Sequence, residues 1–302
     1  MSKRFLMGII VVLMITNIAT LLFWDKNEKV EVKTGSENEE KITTKESVAE
    51  VGNKEIFYED WIQSLRENYG KKHLKEMIDK ELVKQIAADR NIEINDKLIE
   101  KDIAYLTTMQ GALPKSELEK EKEKWYEEVL YRYQLEEILV GDIDIPDEEA
   151  ANYFNIYKNQ YDFSASMQLS HIIVDTFEEA EKVINELDDE ASFHLLAQEY
   201  SIDEETKDNG GYLGFYPETS QFIPHNYFEI AKDMDDYSYS EPFQSDQGVV
   251  IIYLHQKLPS ITFTFDEVKQ HVKNELALSD LEQQLTTETL WKQNDVKWIY
   301  EN

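Results

Sequence analysis

The sequence predicts an α+β chain: a helical body made of N- and C-terminal segments, one strand-bearing insert between them, and a single transmembrane helix in front. Three observations predict this. An uncharged run of twenty residues, Phe5–Trp24, follows Lys3 and Arg4. Residues 48–160 and 265–291 show apolar residues at helical spacing and few chain breakers. Glycine and proline concentrate instead between 210 and 259, behind the β-branched run Ser166–Val174.

At 1.5 Å per residue, Phe5–Trp24 spans about 30 Å, the thickness of the hydrocarbon layer. It ends in Leu21-Leu22-Phe23-Trp24, which suits an interfacial aromatic anchor better than a signal-peptidase site, so 1–24 is expected to be a retained membrane anchor. Lys3 and Arg4 place its start in the cytoplasm, and every acidic residue lies beyond Trp24, on the extracytoplasmic side. Residues 25–47 alternate charge and polarity with three aliphatic residues, and are expected to form a flexible charged tether.

Of 302 residues, 31 are basic and 62 acidic, giving a formal charge of −31. Such a chain gains nothing from counterion release, so nucleic acid is excluded as a partner. The absence of cysteine removes thiol catalysis, disulfides and thiolate metal sites. The six histidines show no metal-ligand spacing. Asp142, Asp144, Asp147, Glu148 and Glu149 imitate a calcium loop, but Pro146 intrudes and the required glycine is missing, so they read as a solvated helix start.

In 48–160, Val48–Val51 alternates and closes on Gly52-Asn53, after which Ile56, Trp61, Ile62 and Leu65 take helical spacing. Leu74, Ile78, Leu82 and Ile86 recur every fourth residue, and Asp96 is the expected cap of the next helix. Ser116 is expected to cap a longer helix with the stripe Leu118, Trp125, Val129 and Tyr133. In 259–302, Asp266 is the expected cap of a helix whose Val268, Val272, Leu276 and Leu278 face inward. Val296, Trp298 and Tyr300 then alternate as a strand would, and the partner expected for it is Val48–Val51.

The insert, 166–258, reads β, α, α, loop, α, β. Ser166–Val174 gives way to the capping pair Asp175-Thr176 and the helix FEEAEKVINELDD; a second helix runs from Phe193 to Ser201. Gly210-Gly211 supplies a tight turn, a short helix surrounds Tyr227–Lys232, and Gly248 opens a buried strand.

Four stretches then stand in order: Ser170-His171-Ile172-Ile173-Val174; Phe193-x-x-Leu196-Ala197-x-x-Tyr200-Ser201; Gly210-Gly211-Tyr212-Leu213-Gly214; and Pro242-Phe243-x-Ser245-x-x-Gly248. Together they resemble the successive motifs of the parvulin peptidyl-prolyl isomerases. With the flanking helical segments, residues 48–302 look like the extracytoplasmic foldases of the PrsA/SurA type. The resemblance implies a helical chaperone-like domain with an inserted parvulin domain, a small antiparallel sheet wrapped by helices. The implied activity is cis-trans isomerisation of X-Pro bonds in unfolded or newly exported polypeptides, without metal or cofactor.

The resemblance assigns His171 and Asp203 to the catalytic centre. Leu213, Phe222, and Tyr227 or Phe228 would line a prolyl pocket, and Ser245 would place a hydroxyl near its floor. Two departures stand out: the family's second histidine is Val250 here, and Tyr212 replaces the acid of the glycine motif. They motivate the alternative of a chaperone that binds extended peptides through the parvulin fold without turnover; a cell-surface adaptor is a third reading.

Overall fold

The structure, a computed structural model, describes residues 29–32, 40–43, 46–223, 226–281 and 285–300. The expected anchor, 1–24, lies outside the described residues, and no described helix is long and apolar enough to cross a membrane. The chain divides into two compact units, Met1–Asp79 with Lys297–Asn302, and Lys80–Val296.

In the first unit, part of the expected tether is paired: β1 (Lys29–Val32) and β2 (Glu40–Thr43) form an antiparallel ladder, their sequences carrying the β-branched Val30, Val32, Ile42 and Thr43. β3 (Ser47–Val51) pairs with β4 (Lys54–Phe57) rather than with the C-terminus, because Gly52 at φ +63° turns the chain straight back. Residues 296–300 form no strand. Within this unit the Lys71 ammonium lies 5.9 Å from the centre of the Trp298 ring.

In the second unit, helices Asp96–Thr108, Lys115–Val140, Asp147–Tyr161 and Phe265–Leu281 share one core. The predicted stripe Leu118, Trp125, Val129 and Tyr133 is buried, as are Val268 and Val272. The caps fall differently from expectation: Asn95 caps the helix at Asp96 by accepting from the Lys97 amide, and Pro114, rather than Ser116, precedes the helix at Lys115. Pro114 suits that position because its fixed φ needs no reorganisation and it has no N–H to leave unpaired.

Where the insert leaves this bundle, Phe163 and Ile261 exchange backbone hydrogen bonds of 2.7 and 2.9 Å. Beyond it run β5 (Ser166–Val174), β6 (Tyr212–Pro217), β7 (Ser238–Tyr239), β8 (Phe243–Ser245) and β9 (Gly248–Leu258) in one antiparallel sheet, ordered β6-β5-β9-β7 with β8 also on β9. Helices Phe177–Asp188 and Phe193–Tyr200 cover one face through Ile172, Val174, Val249 and Ile251. Thr176 and Glu179 close a capping box at the first of these helices. The short helix Tyr227–Ala231 covers the other face through Leu169, Ile173, Val250, Ile252 and Leu254. The sequence reading omitted β6, β7 and β8, whose Gly214, Pro217 and short lengths hide any alternation.

Candidate active site

His171 sits at the middle of β5 on the face covered by Tyr227–Ala231 and is 4 % exposed. Its Nε2 lies 2.7 Å from Asp203 Oδ2 and 3.1 Å from Thr206 Oγ1, and its Nδ1 lies 2.9 Å from the Tyr227 hydroxyl. Asp203 is brought there by the loop after helix Phe193–Tyr200, which is pinned to β5. Ile202 N–H donates to the Ile173 carbonyl at 2.8 Å, and the Ser201 hydroxyl accepts from the amides of Ile173 and Asp203.

Gly211 explains why the glycine pair follows. At φ +71°, a Cβ on Gly211 would lie 1.9 Å from the His171 carbonyl oxygen, and the Gly211 carbonyl accepts the His171 amide at 2.9 Å. The glycine therefore lets β6 enter the sheet hard against β5 at His171.

The electrostatics fix the protonation pattern. Burial raises the Asp203 carboxyl, but hydrogen bonds from Thr206, His171 and the Glu205 amide outweigh it and hold it below its ordinary value. Burial lowers His171 in spite of the anion beside it, so the imidazole is neutral at pH 7. Burial, then the charge of Asp203, raises Tyr227, so its hydroxyl keeps its proton. An ionised carboxylate only accepts, so His171 Nε2–H donates to Asp203 and Nδ1 accepts from Tyr227. The result is one directed chain of hydrogen bonds, Tyr227 to His171 to Asp203.

Around Tyr227 and Ala231, the half-buried side chains of Leu213, Ile223, Met234 and Phe243 form an apolar ring, with the Phe243 ring edge-on to Tyr227 at 5.6 Å. The structure thus brings His171, Asp203, Leu213 and Tyr227 together. Phe228 is half-buried and lies outside that ring. Phe222 departs from the sequence expectation: the loop after β6 carries it outward, 90 % exposed, and it walls nothing. Ser245 accepts from the Gln247 amide at 3.1 Å and shapes the β8–β9 turn. Val250 is fully buried on the His171 face, packed as core where the resemblance puts a second histidine. Tyr212 turns to the opposite face, where its hydroxyl accepts from Gln168, so it does not plug the ring.

Sequence reasoning missed Thr206, Ile223, Met234 and Phe243. Thr206 stands three residues after Asp203, a spacing that lets its hydroxyl donate to Asp203 Oδ2 across one turn, whereas Ile223 carries no periodic signal. No group of three or more His, Asp or Glu among the described residues is placed to hold a metal ion.

A neutral histidine anchored to a carboxylate thus lies beside an apolar ring. The chain belongs to the PpiC-type, or parvulin, peptidyl-prolyl cis-trans isomerases. The rotamase family model, PPIC-type PPIASE domain, matches residues 171–256. The chain is 36 % identical over 256 residues to the putative peptidyl-prolyl cis-trans isomerase YacD of Bacillus subtilis, covering 84 % of this chain and 86 % of that one. It is 28 % identical over 251 residues to the foldase protein PrsA of Halalkalibacterium halodurans, covering 79 % and 72 %. The crystal structure of the PrsA peptidylprolyl isomerase of Bacillus cereus aligns over 85 % of this chain and 95 % of that one, at 21 % identity and a TM-score of 0.33.

Proposed function

We propose that this isomerase is held at the outer face of a membrane by Phe5–Trp24 and acts as a foldase on newly exported polypeptides. The relatives named foldase and the basic-then-apolar start of the chain support this reading. Its substrates are X-Pro bonds in extended chains. Rotation about such a bond breaks amide resonance, a barrier of about 18–20 kcal/mol, and no covalent bond is made or broken. The protein therefore needs only to bind the twisted imide better than either planar isomer. In this reading the prolyl ring rests on Leu213, Tyr227 and Phe243, where low polarity favours the twisted amide with its smaller charge separation. The Asp203 carboxylate disfavours the partial negative charge that the planar carbonyl oxygen carries, and His171 and Tyr227 hold Asp203 in place.

The observation that carries the proposal is the Asp203–His171 contact of 2.7 Å beside that apolar ring. A refolding reaction limited by proline isomerisation tests it: the full chain accelerates the slow phase, and an unchanged slow phase contradicts it. Burial of Val250 where a second histidine is expected favours one alternative, a chaperone that binds without turnover. It would suppress aggregation equally well after Asp203→Ala.

A further inference from the structure

The helical body holds a polar cluster that the isomerase site does not use. Links of 4.0 Å or less join Lys101 and Asp102 of helix Asp96–Thr108, Arg132 and Glu136 of helix Lys115–Val140, and His271 and Glu275 of helix Phe265–Leu281. Tyr133 donates to Asp102 at 2.9 Å, and Tyr161, on helix Asp147–Tyr161, donates to Glu275. Both tyrosine rings stand edge-on to the His271 ring, at 5.0 and 6.2 Å, and burial keeps both phenols protonated. Glu137 is engaged separately, accepting from Asn274 at 2.7 Å.

Two cations, Lys101 and Arg132, face three carboxylates, Asp102, Glu136 and Glu275, so one negative charge is left uncompensated while His271 is neutral. The His271 side chain is 9 % exposed. Its Nε2 faces Glu275 Oε1 at 3.5 Å and so carries the ring hydrogen, which leaves Nδ1 as an acceptor. That Nδ1 is the one buried side-chain polar atom among the described residues with no hydrogen-bond partner. Glu136 Oε2 stands opposite it at 4.0 Å, too far for a hydrogen bond. Burial disfavours charge on all of these partners: it lowers His271 to about 4 and raises Glu136 and Glu275. A single proton between His271 and Glu136 would fill the orphaned acceptor and neutralise the cluster. A cavity of about 440 Å³, bordered by Tyr133, Glu137, His271 and Asn274, gives that proton a way in.

We propose that Glu136 and His271 form a proton-operated latch in the helical body: one proton taken up between Glu136 Oε2 and His271 Nδ1 closes the 4.0 Å gap to a hydrogen bond and ties helix Lys115–Val140 to helix Phe265–Leu281. The proton sits on the carboxyl as O–H and is donated to Nδ1; no other bond changes. The latch reaches the insert through Tyr161, which is bonded to Glu275 and lies two residues before Phe163, the partner of Ile261 at the root of the insert. Acidification therefore stiffens that root. A carboxyl raised in the fold contributes stability that grows as pH falls, opposite in sign to the contribution of the buried histidines. The inference stands independently of the isomerase reading.

Glu136→Gln in the full chain tests this, because the amide keeps the size of the side chain and an oxygen for Arg132 but cannot take up a proton. Tm is measured for both proteins in detergent micelles between pH 7.5 and 5. The Tm of the variant relative to wild type is expected to fall across that range by about 2–4 °C, since only wild type gains the latch. A difference that is constant with pH means that Glu136 is merely structural, and overturns the proposal. The second measurement is NMR of the full chain labelled with ¹⁵N-histidine, in which the imidazole signal missing from His271→Gln identifies His271. In wild type its Nδ1 signal is expected to move from an unbonded to a hydrogen-bonded position as pH falls from 7.5 to 5, and in Glu136→Gln to show no such step. A stationary wild-type signal, or the same step in Glu136→Gln, overturns the proposal; the Tm comparison does not depend on the folding of His271→Gln.

Discussion

The Tyr227 hydroxyl lies 2.9 Å from His171 Nδ1, and this bond sets which imidazole nitrogen carries the proton. Tyr227→Phe keeps the ring and deletes the donor, leaving a buried ring nitrogen unsatisfied. The expected loss is about 1–3 kcal/mol, read as a lower Tm, together with reduced isomerase activity. A variant with wild-type Tm and wild-type activity would show that the bond does nothing.

Stability should fall on acidification from a pH well above the carboxylate range. His171 and His255 are both lowered by burial, His255 to about 4. Their unfolded forms take up protons below about pH 6.5 while the folded forms resist, so the stability of the neutral fold is full above that pH and declines towards 4. Asp203 is also lowered, but as an acid its contribution is full above about pH 3.9 and is lost only below it. His271 in the helical body is likewise lowered to about 4, while the buried Glu136 and the half-buried Glu275 beside it are raised and titrate against it. Urea midpoints at pH 7.5 and 5 should differ, and His255→Gln should shrink the difference. Equal midpoints in wild type would contradict the account.

Two glycines three residues apart should respond unequally to alanine. Gly211→Ala places a Cβ against the His171 carbonyl as well as straining the backbone, and is expected to cost more than about 3 kcal/mol. Gly214, at φ +95°, has open space around its Cβ, so Gly214→Ala carries only backbone strain, about 1–3 kcal/mol. Thermal unfolding decides it; equal losses would mean that contact with β5 is not what the first glycine serves.

Phe222→Ala should leave stability within about 0.5 kcal/mol of wild type and tetrapeptide turnover unchanged, because the ring is 90 % exposed. A tenfold fall in kcat/KM would place the ring on the substrate instead.

Several of these features were legible in the sequence for local reasons. Thr176 and Glu179 form a capping box that is complete within four residues, and the stripe from Leu118 to Tyr133 is a property of one helix. His171 and Asp203 were reached through motif order, not spacing, since 32 residues separate them. The Tyr227 hydroxyl was not legible, because its partner is 56 residues away and the residue type alone reads as core. Val296, Trp298 and Tyr300 alternate like a strand, yet β3 pairs with the adjacent β4 and residues 296–300 form no strand, so period two alone does not make a sheet. Phe222 sits in a loop, where no periodicity assigns a side chain to a face.

The most direct test is exchange NMR of an X-Pro tetrapeptide with the full chain, wild type against Asp203→Ala. The account predicts that wild type carries cis-trans exchange well beyond its uncatalysed 10–100 s and that the variant loses at least about tenfold in kcat/KM. Exchange no faster with wild type than in buffer would contradict it.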